Sequence, residues 1–187
     1  MKTAEWQQAE SSTTLHRVAG AWERTGVPTR ALWCAATMAS AVIAVGLDAA
    51  PVLTWATGVL LATAALVDVV EHRLPNRLLV GGAIAAAVAA SATGRLAAAL
   101  SGAAIAGGLM LAVRLARGLG MGDVKMAAVI GASVAPRVVV AAPAAVAVAA
   151  FTAAVVGLVR GRTRLALGPS LWVGWAAVLA APMGWLQ

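Results

Sequence analysis

The stretch PVLTWATGVLLATAALVDVV at residues 51–70 decides how the rest of the chain is read. It carries one charged side chain, Asp68, in twenty residues. About 20 predominantly apolar residues in an α-helix are what ~30 Å of hydrocarbon requires, because every backbone polar group is then bonded within the segment. Working outward, six more stretches have this character: Ala31–Leu47, Leu78–Thr93, Leu96–Val113, Val124–Pro136 with a start as early as Leu119, Val138–Val159, and Ser170–Gln187. The third and fifth of the seven are short. The expected fold class is therefore an all-α, polytopic membrane protein with about seven transmembrane helices, six to seven being the range.

Composition agrees. Of 187 residues 61% are apolar and 11% charged, with a mean hydropathy of +0.89. A soluble domain is about half apolar and about a quarter charged. These values exclude a disordered tail, a disulfide-stapled secreted domain and a water-soluble enzyme. The net charge of +7 raises nucleic acid as a partner, but the placement of the charge answers otherwise. Twelve of the fourteen basic residues fall in the N-terminal stretch (Lys2, Arg17, Arg24, Arg30) and in alternate loops (Arg73, Arg77; Arg114, Arg117, Lys125; Arg160, Arg162, Arg164). The intervening loops hold only Arg95 and Arg137. Cytosolic loops collect Lys and Arg, so the charge orients seven helices with the N-terminus inside and meets anionic headgroups. The lipid bilayer is the expected partner, and nucleic acid is not.

Residues 1–30 are polar and read as a cytosolic N-terminal arm that lies on the membrane surface as an amphipathic helix; residues 31–187 read as the membrane-embedded domain. Trp33, Trp55, Trp172, Trp175 and Trp185 lie near span ends and are expected as interfacial anchors. The single cysteine, Cys34, is expected as a buried small hydrophobe. Small-residue pairs such as Gly102 with Ala106 and Ala104 with Gly108 fit close helix packing, though so alanine-rich a chain produces such pairs by chance.

Acidic side chains at membrane depth are costly and mark function. Glu71, followed by His72 and Arg73, reads as an interfacial charge that reaches water. Asp68 interrupts an otherwise apolar helix end, and Asp123 lies in the glycine-rich turn Gly118-Leu-Gly-Met-Gly-Asp-Val-Lys125. The second segment runs outside to inside and ends near Asp68; the fifth runs inside to outside and starts near Asp123. Topology thus brings both to the cytosolic leaflet, although 55 positions separate them. Paired carboxylates suit an aspartic protease, in which one acts as base on a water and the other as acid towards the scissile carbonyl. Helix dipoles would make Asp123, at a helix N-terminus, the carboxylate and Asp68, at a C-terminal end, the neutral acid. The glycines also suggest a dinucleotide loop, but that motif needs a preceding strand, and here an apolar helix precedes it. They leave room for an extended substrate backbone instead. The alternative reading is a small proton-coupled membrane transporter, with the two Asp as proton relays.

The residues carry a resemblance to a family. Gly120-Met-Gly-Asp-Val-Lys125 resembles the GxGD motif of the type IV prepilin peptidases, polytopic aspartic proteases of the bacterial inner membrane. Asp68-Val-Val-Glu-His-Arg-Leu-Pro-Asn76 is similar to that family's first catalytic segment, and Leu167-Gly-Pro-Ser-Leu171 to its late Gly-Pro hairpin, with Leu167 where the family often has Phe. The resemblance spans about Val52 to Val178. It implies cleavage of prepilin-like membrane precursors on the cytosolic side of their apolar helix, with Asp68 and Asp123 catalytic and Gly120, Gly122, Lys125, Pro75 and Asn76 shaping the site. It implies neither a metal nor a cofactor. Larger members carry paired CxxC motifs associated with N-methylation; with one cysteine this chain resembles the compact, peptidase-only form found with Flp/Tad-type pili.

Overall fold

The computed structural model describes residues 14–45, 51–117, 120–161 and 166–181. Among these residues every regular element is a helix: α1 (residues 14–24), α2 (Val27–Val45), α3 (Pro51–Glu71), α4 (Asn76–Ala92), α5 (Leu96–Arg117), α6 (Met121–Val134), α7 (Ala141–Arg160) and α8 (Gly168–Ala180). Helices α2 to α8 occupy the seven apolar stretches expected from the sequence. The chain is an all-α membrane protein. Three helices, α3, α5 and α7, are long and apolar enough to cross a bilayer by length and composition, whereas α2, α4 and α8 contain shorter apolar runs. At 14 and 13 residues, α6 and α8 rise only about 21 and 20 Å.

The helices surround a core in which Leu61, Met126, Ile130, Leu171 and Trp175 are fully buried. Their outer faces carry Leu32, Met38, Val42, Val80, Ile84, Leu100, Phe151 and Leu158, all exposed. A water-soluble monomer does not leave so continuous an apolar exterior; such a surface suits a lipid surrounding. Cys34 is on this outer surface, so the expectation of a buried cysteine fails: α2 packs on one side only, and Cys34 points away from the bundle.

Close packing rests on glycine at helix crossings. A Cβ on Gly102 would strike Gly131 O and Ala135 Cβ, and one on Gly131 would strike Gly102 O, so α5 and α6 touch backbone to backbone. Ala106 packs at the same crossing, whereas a Cβ on Gly108 would meet nothing within 4 Å and Ala104 is exposed. Of the two small-residue pairs in the sequence, only Gly102 with Ala106 is a helix contact.

Gly58 on α3 makes space for another crossing. A Cβ there would stand 2.5 Å from the Trp175 ring and 2.6 Å from Ser40 Oγ. Trp175 is therefore a core residue, 0% exposed, and its Nε1–H donates to Ser133 Oγ at 3.0 Å. The expectation of an interfacial indole fails at this position because Gly58 opens a slot for the ring. Trp172 also turns inward, donating to Gly58 O at 3.3 Å. Trp33 meets Trp22 of α1 edge-on, with ring centroids 5.3 Å apart. Trp55, exposed at the start of α3, fits the anchoring role; Trp185 lies outside the described residues.

Helix α1 falls in the expected arm, and α2 begins at Val27, inside that stretch. Arg30 of α2 joins them: its guanidinium donates to Trp22 O at 2.8 Å and Glu23 O at 3.2 Å and lies over the Trp22 ring. A cation on the last carbonyls of a helix satisfies its orphan acceptors and its dipole together.

Candidate active site

Asp68 stands in the last turn of α3, and its residue is only 6% exposed. A buried carboxylate needs donors. It finds one in the first residue of α8, where Gly168 N–H donates to Asp68 Oδ2 at 2.9 Å. That N–H is one of the four that a helix start leaves without an intrahelical partner. The approach requires glycine, because a Cβ on Gly168 would stand 3.0 Å from Ala65 Cα and 3.0 Å from Asp68 Oδ2.

Asp123 is the third residue of α6, after the N-cap Gly120. Its carboxylate reaches back to the Gly120 backbone N–H, as an acid at this position of a capping box does. Gly122 allows α6 to start against the loop after α3, since a Cβ there would stand 2.9 Å from Leu74 Cβ.

Helix rise brings the two acids to one level. Thr57 of α3 and Ser133 of α6 line a common cavity near the other end of the bundle. From Thr57, Asp68 lies eleven residues along α3, about 16 Å. From Ser133, Asp123 lies ten residues back along α6, about 15 Å in the same direction. The two carboxylates are close enough to act on each other electrostatically. Asp123 sits at the start of its own helix and Asp68 at the end of α3, as expected, but Asp68 also receives the first N–H of α8. Helix ends alone therefore do not separate their roles.

The remaining residues singled out in the sequence form a second group. Lys125 Nζ donates to Asn76 Oδ1 at 2.9 Å, joining α6 to the first residue of α4. Pro75, buried, is the N-cap of α4. Positions two apart on a helix do not share a face, so Lys125 points away from Asp123 and fixes how α6 meets α4. Glu71 forms an ion pair with Arg24 of α1 at 2.7 Å, where the sequence had suggested a charge simply in water. His72 follows α3 in the left-handed region, at φ 50°. Its N–H closes the last turn on Asp68 O at 2.9 Å.

Residues 55–158 match the type IV leader peptidase family, a span that contains both acids. The chain belongs to the type IV leader peptidase family. Searches of curated proteins and of solved structures give no match. Membership in the family identifies a leader peptidase and implies prepilin substrates. Gly168, beyond the matched span, stood in the Gly-Pro patch of the resemblance but was not among the residues expected to shape the site. The pair announces a helix start and says nothing of the carboxylate one hundred residues earlier that the start receives.

Proposed function

We propose that this leader peptidase is an aspartic endopeptidase in which Asp68 and Asp123 activate one water, cutting prepilin-like precursors, Flp/Tad-type pilins among them, at the cytosolic face of the bacterial inner membrane. The reading is carried by one observation: two carboxylates from separate helices, each bonded to a helix-start N–H, lie at one level and within electrostatic reach.

In the proposed reaction the pair shares one proton, because two like charges at short range in a poorly solvated site cannot both ionise cheaply. The ionised member takes a proton from water as its oxygen attacks the scissile carbonyl. The protonated member donates to the carbonyl oxygen, and a proton then passes to the leaving amine as the C–N bond breaks. With each acid facing a helix-start N–H, base and acid belong to the pair rather than to fixed residues. Gly120 and Gly122 keep the approach beside Asp123 free of side chains, and Pro75, Asn76 and Lys125 hold the α4 and α6 starts in place. No metal or cofactor takes part in the proposed reaction. The arm at residues 1–30 is cytosolic in this reading, and residues 31–187 form the membrane-embedded peptidase domain.

The test mixes purified protein with a prepilin and follows leader loss by mass. Asp68→Asn and Asp123→Asn are each expected to abolish cleavage while keeping the wild-type unfolding temperature within a few degrees. Cleavage retained by either variant overturns the assignment.

A further inference from the structure

At the end of the bundle opposite the two acids, a cavity of about 80 Å³ lies between α3, α4, α6 and α8. Its wall includes Thr54, Thr57, Thr93, Ser133, Arg95 and Arg137. The last two are the only basic residues that the charge pattern leaves on that side of the membrane, and the fold gathers both into one cavity although 42 positions separate them. Thr54 precedes Asp68 by fourteen residues on α3, about 21 Å of helix, so this cavity is distinct from the candidate active site.

The cavity is rich in donors and short of negative charge. Arg95 sits in the α4–α5 turn and donates to Pro136 O at 2.8 Å; Arg137 sits in the α6–α7 turn and donates to Leu179 O. These bonds orient the two guanidinium groups and use one N–H of the five each possesses. Both carbonyls lie at helix C-terminal ends and offset part of the charge without neutralising it. Among the described residues, no carboxylate lines the cavity. The hydroxyls of Thr57, Thr93 and Ser133 donate to carbonyls of their own helices, so the guanidinium groups are its principal donors. Burial pulls the Arg137 guanidinium below its ordinary range by desolvating it. The space admits several waters or one tetrahedral oxyanion. Arg is the side chain suited to phosphate recognition, whether the phosphate is free or part of a lipid headgroup.

We propose that Arg95 and Arg137 form a binding site for one phosphate-type oxyanion on the side of the membrane opposite the candidate active site, supplied by an anionic lipid headgroup or by free phosphate. The anion bridges the α4–α5 and α6–α7 turns, at the end of α6 opposite the one that carries Asp123. The site does not depend on the peptidase reading, and its test does not use cleavage.

The test places the full-length protein in phosphatidylcholine nanodiscs with and without phosphatidylglycerol, and separately titrates inorganic phosphate into the phosphatidylcholine sample. Retained lipid is read by native mass spectrometry and unfolding by thermal scan. Wild type is expected to retain phosphatidylglycerol, or to unfold at higher temperature with phosphate. A lipid response alone assigns the headgroup as the source, and a phosphate response alone assigns the free ion. Arg137→Gln and Arg95→Gln should each weaken binding about tenfold, the scale of one charge-assisted pair. Arg137→Lys, which keeps the charge, should recover most of it and guards against a folding defect. The proposal is overturned if neither probe binds wild type or if both Gln variants bind as wild type does. Asp48 lies in sequence between α2 and α3; the proposal also fails if binding emerges only in Asp48→Asn, which would mean that an acid of the chain itself fills the site.

Discussion

Replacing Gly168 by alanine adds one methyl group at the point where α8 meets Asp68. The new Cβ would stand 3.0 Å from Ala65 Cα and 3.0 and 3.1 Å from Asp68 Oδ2 and Cβ, distances tighter than nine in ten real Cβ contacts. Ala65 Cα belongs to the α3 backbone and cannot rotate away. The α8 start must therefore retreat by a few tenths of an ångström, or Asp68 must turn, and either lengthens the 2.9 Å bond from Gly168 N–H. Overpacking of this size costs about 1–3 kcal/mol. A misplacement of 1 Å at a reacting group costs roughly a hundredfold in rate, so a shift of about half that should cost about tenfold. Gly168→Ala is expected to lower kcat/KM for prepilin processing about tenfold and to unfold at lower temperature. The control is Gly108→Ala, whose Cβ meets nothing within 4 Å; it should keep full activity and gain up to about 1 kcal/mol in helix propensity. Activity within twofold of wild type in Gly168→Ala, with an unchanged unfolding temperature, would refute the role given to this contact.

Four further substitutions test the frame. Asn76→Ala and Lys125→Met remove the two ends of one hydrogen bond, so each should lower kcat by a similar factor and the double variant by no more than either single one; multiplying effects would show that Lys125 acts elsewhere. Gly131→Ala drives a methyl group into Gly102 O and should destabilise by about 3 kcal/mol, the upper end for overpacking, as read by equilibrium unfolding in mixed micelles. His72→Gly relieves a left-handed residue, at φ 50°, and should stabilise by about 1 kcal/mol in the same assay; an equal or lower stability would mean that the imidazole makes compensating contacts.

The helices were legible because a bilayer demands long uncharged runs, and the seven stretches became α2 to α8. The level of the two acids was legible as well, since alternating direction and a fixed rise per residue place Asp68 and Asp123 at one depth. What pattern could not supply was direction around each helix. Trp175 looked interfacial by position, yet the missing side chain of Gly58 admits its ring to the core. Cys34 looked buried by hydropathy, yet it faces outward, because lipid and protein interior are equally apolar and hydropathy does not separate them. Lys125 stands two residues from Asp123 in sequence and on another face in space.

That limit bears on the site itself. Apolar burial drives little association between helices already in lipid, so their relative placement rests on close contact between small residues. Gly102 and Gly131 set α5 on α6, Gly58 sets α3 on α8, and Gly168 sets the start of α8 on Asp68. The donors to the two acids are likewise backbone groups, Gly168 N–H and Gly120 N–H. Half of what positions the carboxylates thus consists of absent Cβ atoms and main-chain N–H groups, which every residue but proline carries and no composition distinguishes. An Asp at membrane depth announces itself by its cost. The glycine that makes its position tenable is identified only when two helices are seen to cross there.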